Sequence, residues 1–233
     1  MKAYWRLIVS NAAVNQLDAD ERDFYVSPKG DDANPGTMDA PLKTIGRAVE
    51  LSEPGKTIHP MGGRYEEEVF IDRPVHIRPL RLNVAVMAGL ITIRSSNVDI
   101  NGLVFDGVER PIIIEGEVNE LLIRQNRFID CAGPVMTFAT PAGGDSFIIG
   151  NAVSGNGIGP GIRYECVGLQ ETVIASNRFH YCETGIAGSR DTELLSTWAT
   201  APTQSPCRSI RFLRSIHSPT THVTASTSRP ATT

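Results

Sequence analysis

Ile123-Arg124-Gln125-Asn126-Arg127-Phe128, Ile148-Ile149-Gly150-Asn151-Ala152-Val153 and Ile174-Ala175-Ser176-Asn177-Arg178-Phe179 are three versions of one phrase. In each, an Ile stands three residues before an Asn and an apolar residue follows two after it. The Asn-to-Asn steps are 25 and 26 residues. An earlier version, Ile100-Asn101-Gly102-Leu103-Val104-Phe105, keeps the Ile and the Phe but has Leu103 in the Asn slot. Self-similarity at a fixed period of roughly 20 to 50 residues marks a stacked-coil architecture. The phrases are rich in Ile, Val and Phe, are broken by Gly, Asn and Asp, and contain no helical-length apolar stripe, which is strand-and-turn chemistry.

The expected fold is therefore all-β, a parallel β-solenoid of about six coils. Each coil of about 25 residues holds three short strands, and each strand pairs with its counterpart one coil on, about 4.8 Å away. Equivalent side chains then stack. Ile100, Ile123, Ile148 and Ile174 form one expected column, and Phe105, Phe128, Val153 and Phe179 another. No coil covers its own apolar inner side, so its neighbours must. The Asn column has a mechanical reading, since stacked carboxamides satisfy turn groups that water cannot reach and also bond one another. Asn also tolerates the left-handed backbone expected at such turns. The alternative is three unrelated surface turn residues.

Composition narrows the function classes. A net charge of -4 argues against nucleic acid as the main partner. No apolar run reaches the roughly 18 residues of a membrane span. The apolar patch Leu7-Ile8-Val9 follows directly on Arg6 and is too weak for a secretory signal. The four cysteines, Cys131, Cys166, Cys182 and Cys207, lack CxxC spacing. Cys131 and Cys182 share a slot two coils apart, with Asn156 between them. Two coils is about 9.6 Å, beyond disulfide reach, so small buried thiols are expected.

In chain order, residues 1–23 end in an acidic run, Asp18 to Asp23, and read as a solvated lead-in. Phe24-Tyr25-Val26-Ser27 reads as a strand and residues 28–37 as a dense turn cluster. Ile45, Ala48 and Val49, at i, i+3 and i+4, give a short amphipathic helix that Pro54-Gly55 stops. Thr57-Ile58 opens the next strand. Coils follow over about 56–74, 75–90, 91–111, 112–134, 135–160 and 161–185, and Gly155 to Gly161 reads as a turn between coils. The domain spans residues 24–193. Residues 196–233 hold 16 Ser or Thr in 38 residues, four Arg and no acid, leaving 18 basic against 26 acidic residues before them. That composition predicts a disordered or loosely attached tail over 194–233, arriving where another coil is due. It is either a natural tail or the end of a truncated or frame-shifted reading of a longer β-helix.

The succession Tyr25-Val26-Ser27-Pro28, Gly30, Asp32, Asn34, Gly36-Thr37, Pro41, Thr44-Ile45, Ala48, Pro54-Gly55, Thr57-Ile58, Gly63 and Tyr65 resembles the N-terminal signature of right-handed parallel β-helix proteins of the pectate-lyase-like superfamily. The resemblance is close over about 24–80 and looser to about 190. It implies a helix capping the open end of the solenoid, a right-handed hand, an extracellular or cell-surface setting and an acidic polysaccharide partner. Pro60 departs from the family's usual strand and, lacking an N–H, suits only an edge or a bulge.

The resemblance also implies a chemistry, in which calcium held by carboxylates neutralises a uronic acid and a Lys or Arg removes the neighbouring proton. Asp106 and Asp130, just after the Phe105 and Phe128 columns, are the candidate Ca2+ ligands. Arg127 and Arg178, expected to point outward two coils apart with Ala152 between them, are the candidate catalytic residues, and His180 lies beside them. The last Lys before the tail is Lys56, which leaves Arg, a cation that gives up its proton reluctantly. The hydrolases of this architecture need several clustered Asp, and no such cluster stands out. A calcium-dependent lyase on uronic-acid polymers such as pectate, a non-catalytic glycan-binding or surface module, a fragment of a longer enzyme and a trimeric surface spike are the readings this leaves open. The alternative to a catalytic site is that the two Asp are turn residues and the two Arg solvated strand residues.

Overall fold

A computed structural model describes residues 23–140, 146–155, 159–166, 168–188 and 192–198. They form a right-handed parallel β-helix of three stacked sheets, with strands numbered along the chain. Sheet 1 orders β1 (Phe24–Val26), β2 (Thr57–Pro60), β5 (Val75–Ile77), β8 (Val98–Asn101), β11 (Leu121–Arg124), β14 (Ser146–Ile149), β17 (Gly168–Ala175) and β20 (Thr192–Trp198). Sheet 2 stacks β3 (Gly63–Tyr65), β6 (Ala85–Met87), β9 (Val104–Asp106), β12 (Arg127–Ile129), β15 (Ala152–Ser154) and β18 (Arg178–His180). Sheet 3 stacks β4 (Val69–Ile71), β7 (Ile91–Ile93), β10 (Ile112–Ile114), β13 (Met136–Phe138), β16 (Pro160–Tyr164) and β19 (Thr184–Gly188).

The register follows the expected columns. Ile100 pairs with Ile123, Ile123 with Ile148 and Ile148 with Ile174, and Ile58 and Ile77 extend the column downward. Phe105, Phe128, Val153 and Phe179 pair in turn, continued by Met87 and Tyr65. The Phe105 and Phe128 rings stack 4.9 Å apart at 7°. Because each rung adds a layer to one continuous interior, every internal rung is covered on both sides and burial does not taper toward the middle.

The Asn ladder closes the corner between sheets 1 and 2. The Asn126 N–H and Nδ2 both donate to Asn151 Oδ1, at 3.0 and 3.1 Å, and Asn151 repeats this to Asn177 Oδ1 at 2.9 Å for each bond. The Nδ2 groups also donate to Ile100, Ile123 and Ile148 carbonyls. Leu103 occupies the slot without a carboxamide, yet its N–H still donates to Asn126 Oδ1 at 2.9 Å. The left-handed backbone falls one residue earlier than expected, on Gly102, Gln125, Gly150 and Ser176. The ladder residues are thus selected for their side-chain amides and not for tolerance of positive φ.

The short helix, α1 (Ile45–Leu51), buries Ile45, Ala48 and Val49. Its free N–H groups are taken by Thr44 Oγ1, which accepts from Arg47, and by the Glu67 carboxylate, which accepts from Ile45 at 2.8 Å and Gly46 at 3.0 Å. Pro60 is not on an edge of sheet 1, because β2 lies between β1 and β5. It pairs with Val26, while the β2–β5 pairing covers only Thr57 and Ile58. The Arg78 carbonyl, which the next N–H of a regular ladder would reach, instead accepts from His59 Nδ1 at 2.8 Å. A side chain has replaced the donor that proline lacks.

Two boundaries differ from expectation. Pro160 opens strand β16, and the first residue of a strand is a position that tolerates proline, so the expected turn ends before it; residues 156–158 lie outside the described set. Strand β20 continues past Glu193 to Trp198, and the rest of the expected tail lies outside the described residues. Among the described residues no helix is long and apolar enough to cross a membrane.

Candidate functional site

A parallel strand that buries alternate residues turns the others outward, and stacking converts those into columns on flat external faces. The outer face of sheet 1 carries Asp99 and Arg124, which bond each other at 2.8 and 3.2 Å and are only 13% and 12% exposed. On sheet 3 the central outward column is Phe70, Thr92, Ile113, Thr137, Arg163 and Ala187. Arg94 sits over the Phe70 ring, 6.0 Å from its centre, and pairs with Glu115 at 2.7 Å; Arg110 pairs with Glu165 at 3.2 Å.

Sheet 2 gathers the residues singled out in the sequence. One outward column runs Arg64, Val86, Val104, Arg127, Ala152 and Arg178, and the parallel one ends Asp106, Ile129, Ser154 and His180. Arg127 and Arg178 are exposed, point the same way and stand two rungs apart over Ala152. At about 4.8 Å per rung their backbones are about 9.6 Å apart. Among the described residues neither has a carboxylate partner. His180, half-buried on the same strand as Arg178, has a bonding partner of its own.

Asp106 and Asp130 are one rung apart but not in one register. Ile129 stands over Asp106, and Asp130 follows at the corner in a left-handed conformation. Asp106 instead faces Arg64, with Nη1 3.4 Å from Oδ2, while Arg64 also pairs with Glu66. Calcium takes six to eight oxygens; two offset carboxylates, one already against a guanidinium, do not supply that set. Among the described residues no group of three His, Cys, Asp or Glu could hold a metal ion.

The buried titratable groups serve the scaffold. Cys131 and Cys182 occupy the same slot, each thiol 3.5 Å from a carbonyl two residues back. Burial pushes the Cys131 thiol up to about 11, leaving it a poor nucleophile. Burial raises the Tyr65 hydroxyl as well; its single proton is shared between the Val26 and Met61 carbonyls, 2.9 and 2.8 Å away.

Tyr181, 60% exposed at the corner just after β18, was not picked out in the sequence. The signal was available. By register it occupies the turn position that Gly107 and Asp130 fill in lower rungs.

Residues 28–89 match a family described as "Protein of unknown function (DUF1565)". A 43-residue stretch is 51% identical to pectate lyase PEL9 of Emericella nidulans, over 18% of this chain and 10% of that protein. The chain thus spans about a tenth of the length of the curated relative it matches. Among solved structures, a rhamnogalacturonan lyase aligns at a TM-score of 0.45 and 13% identity, over 81% of this chain and 65% of that one. A GH136 lacto-N-biosidase from Eubacterium ramulus aligns at a TM-score of 0.35 and 14% identity, over 69% and 42%.

Proposed function

Taking the chain as a right-handed parallel β-helix of the pectate-lyase-like superfamily, we propose that it binds an acidic polysaccharide along the outer face of sheet 2. The observation that carries this reading is the column Arg127, Ala152, Arg178, which leaves two exposed guanidinium groups without a carboxylate partner among the described residues and two rungs apart on a flat surface. Guanidinium groups take carboxylates through paired N–H donors, and a small residue between them leaves room for a polymer to lie close. An elongated ligand suits this face because the face itself is a straight stack of short strands.

The finer reading is a lyase in which Arg127 or Arg178 withdraws the proton beside a uronic carboxylate. It needs a base made from a group that holds its proton tightly, and no step is routed through calcium, whose oxygen ligands the two aspartates do not supply. The pectate lyase stretch supports keeping it as a second reading.

The test is titration calorimetry of the full chain with polygalacturonate, alongside ultraviolet detection of unsaturated uronide with and without added calcium. Arg127→Ala and Arg178→Ala are each expected to weaken binding by about tenfold, and binding should weaken as salt rises. Arg163→Ala, on sheet 3, should not weaken it. Binding that is indifferent to both sheet 2 variants but lost in Arg163→Ala would move the site to the other face, and uronide release abolished by either sheet 2 variant would establish the lyase.

A further inference from the structure

We propose that Tyr181 is a stacking platform for a sugar ring, so that sheet 2 recognises a pyranose as well as its charge. This inference rests on the acidic-polysaccharide reading above and adds the residue that tells a glycan from any other polyanion.

The argument begins with the corner after sheet 2. The Gly107 N–H donates to the Ile129 carbonyl, the Asp130 N–H to Ser154 and the Gly155 N–H to His180, each one rung on. Gly107, Asp130, Gly155 and Tyr181 are therefore equivalent positions. Three of them have positive φ, at 69°, 50° and 52° for Gly107, Asp130 and Tyr181. Glycine adopts that backbone freely and Asp does so with a short polar side chain, but a bulky residue there is an outlier. Packing does not account for the choice, because Tyr181 is 60% exposed. A strained backbone under an exposed side chain points to function.

What the ring could serve follows from its neighbours. Phe179 is buried, so Arg178 and His180 flank it outward on β18, and Tyr181 comes next. Arg127 stands in the Arg178 column two rungs away. The constellation is an exposed aromatic side chain at the corner of a strip in which Arg127 and Arg178 have no carboxylate partner among the described residues. An aromatic ring gives apolar contact area with a polar tip, which matches a pyranose, whose ring has an apolar C–H face and hydroxyls at its rim. A uronic polymer supplies both that face and carboxylates for Arg178 and Arg127, whereas a polyanionic peptide supplies only carboxylates.

The experiment compares polygalacturonate with poly-L-glutamate by titration calorimetry on the full chain, for the unsubstituted protein, Tyr181→Ala, Tyr181→Asn and the Arg127→Ala/Arg178→Ala pair. Asn tolerates the left-handed backbone, so Tyr181→Asn removes the ring without adding strain, and thermal melting checks that it folds. The expected result is a loss of about tenfold in polygalacturonate affinity for both Tyr181 variants, with poly-L-glutamate affinity unchanged, while the Arg pair lowers both. If the Tyr181 variants bind polygalacturonate as well as the unsubstituted protein while the Arg pair does not, the stacking role is wrong and the acidic-polysaccharide reading stands. An equal loss for both polymers also overturns stacking. Failure of the unsubstituted protein to bind polygalacturonate at all removes both readings.

Discussion

Asn151 gives three hydrogen bonds to its neighbours and receives two on a single oxygen, all inside the solenoid wall. Asn151→Ala would remove the acceptor of the Asn126 backbone N–H and of one Nδ2 hydrogen, and one donor to the Ile123 carbonyl, where water cannot replace them. A buried polar group left unpaired costs roughly 1–3 kcal/mol, so the loss should reach about 3 kcal/mol, read as a lower urea midpoint. A change under about 0.5 kcal/mol would mean that surface turns, not a ladder, hold the corner. Cys131, with its thiol raised to about 11 by burial, should resist a thiol reagent at pH 8 until the protein unfolds. Mass mapping of the labelled cysteine checks this. The sequence made Asn126, Asn151 and Asn177 legible because they recur at a fixed offset from Ile. It did not reveal that Gln125, Gly150 and Ser176 carry the positive φ, since no shared residue type marks that position.

At the scale of elements, the cap shows how a loop residue secures a helix of only seven residues. Glu67 accepts from the first two helical N–H groups, and Glu67→Ala should cost about 1 kcal/mol, as other lost caps do. Burial, the largest cause, raises the Glu67 carboxyl above its ordinary value of 4.5, against the lowering effect of those two bonds. The folded protein therefore holds this proton more tightly than the unfolded chain. The Glu67 contribution is fully present below the ordinary value and is lost as pH rises through the raised folded value. Thermal melts from pH 4 to 7 should show the stability of Glu67→Gln rising relative to the unsubstituted protein across that window, and a flat difference would count against the shift. Gly89 lies against the same residue, where an added Cβ would meet the Glu67 carbonyl oxygen. Gly89→Ala must displace backbone and should destabilise more than Glu67→Ala, by the same melts. The helix was legible from Ile45, Ala48 and Val49. The Glu67 clasp was not, because 22 residues separate it from Ile45 and no local pattern links the two.

Across the whole molecule, stability passes from rung to rung, since each coil touches only its neighbours. Asn151→Ala should therefore raise amide exchange most in β11, β12, β14, β15, β17 and β18, and least in β3 and β6. Exchange that rises uniformly would indicate a single cooperative unit instead. Proline at position 60 is tolerated for a similar reason, because a nearby group stands in for the lost donor. His59 is held between the Arg78 carbonyl and Asp23, with Nε2 2.9 Å from the carboxylate.

The sequence by itself determined the period, the three-strand rung and the inward columns. Stacking like over like turns a repeat in one dimension into contacts in three, and a buried apolar column is written directly in the spacing of Ile and Phe. Only the tertiary structure decided which outward residues meet. Asp106 meets Arg64 and not Asp130, and Tyr181 stands exposed at the corner after β18, whereas the shared slot of Arg127 and Arg178 was already legible in the repeat. Outward positions are free of the core's demand for matching shape, so a shift of one residue at a corner reassigns their neighbours while leaving the apolar pattern unchanged.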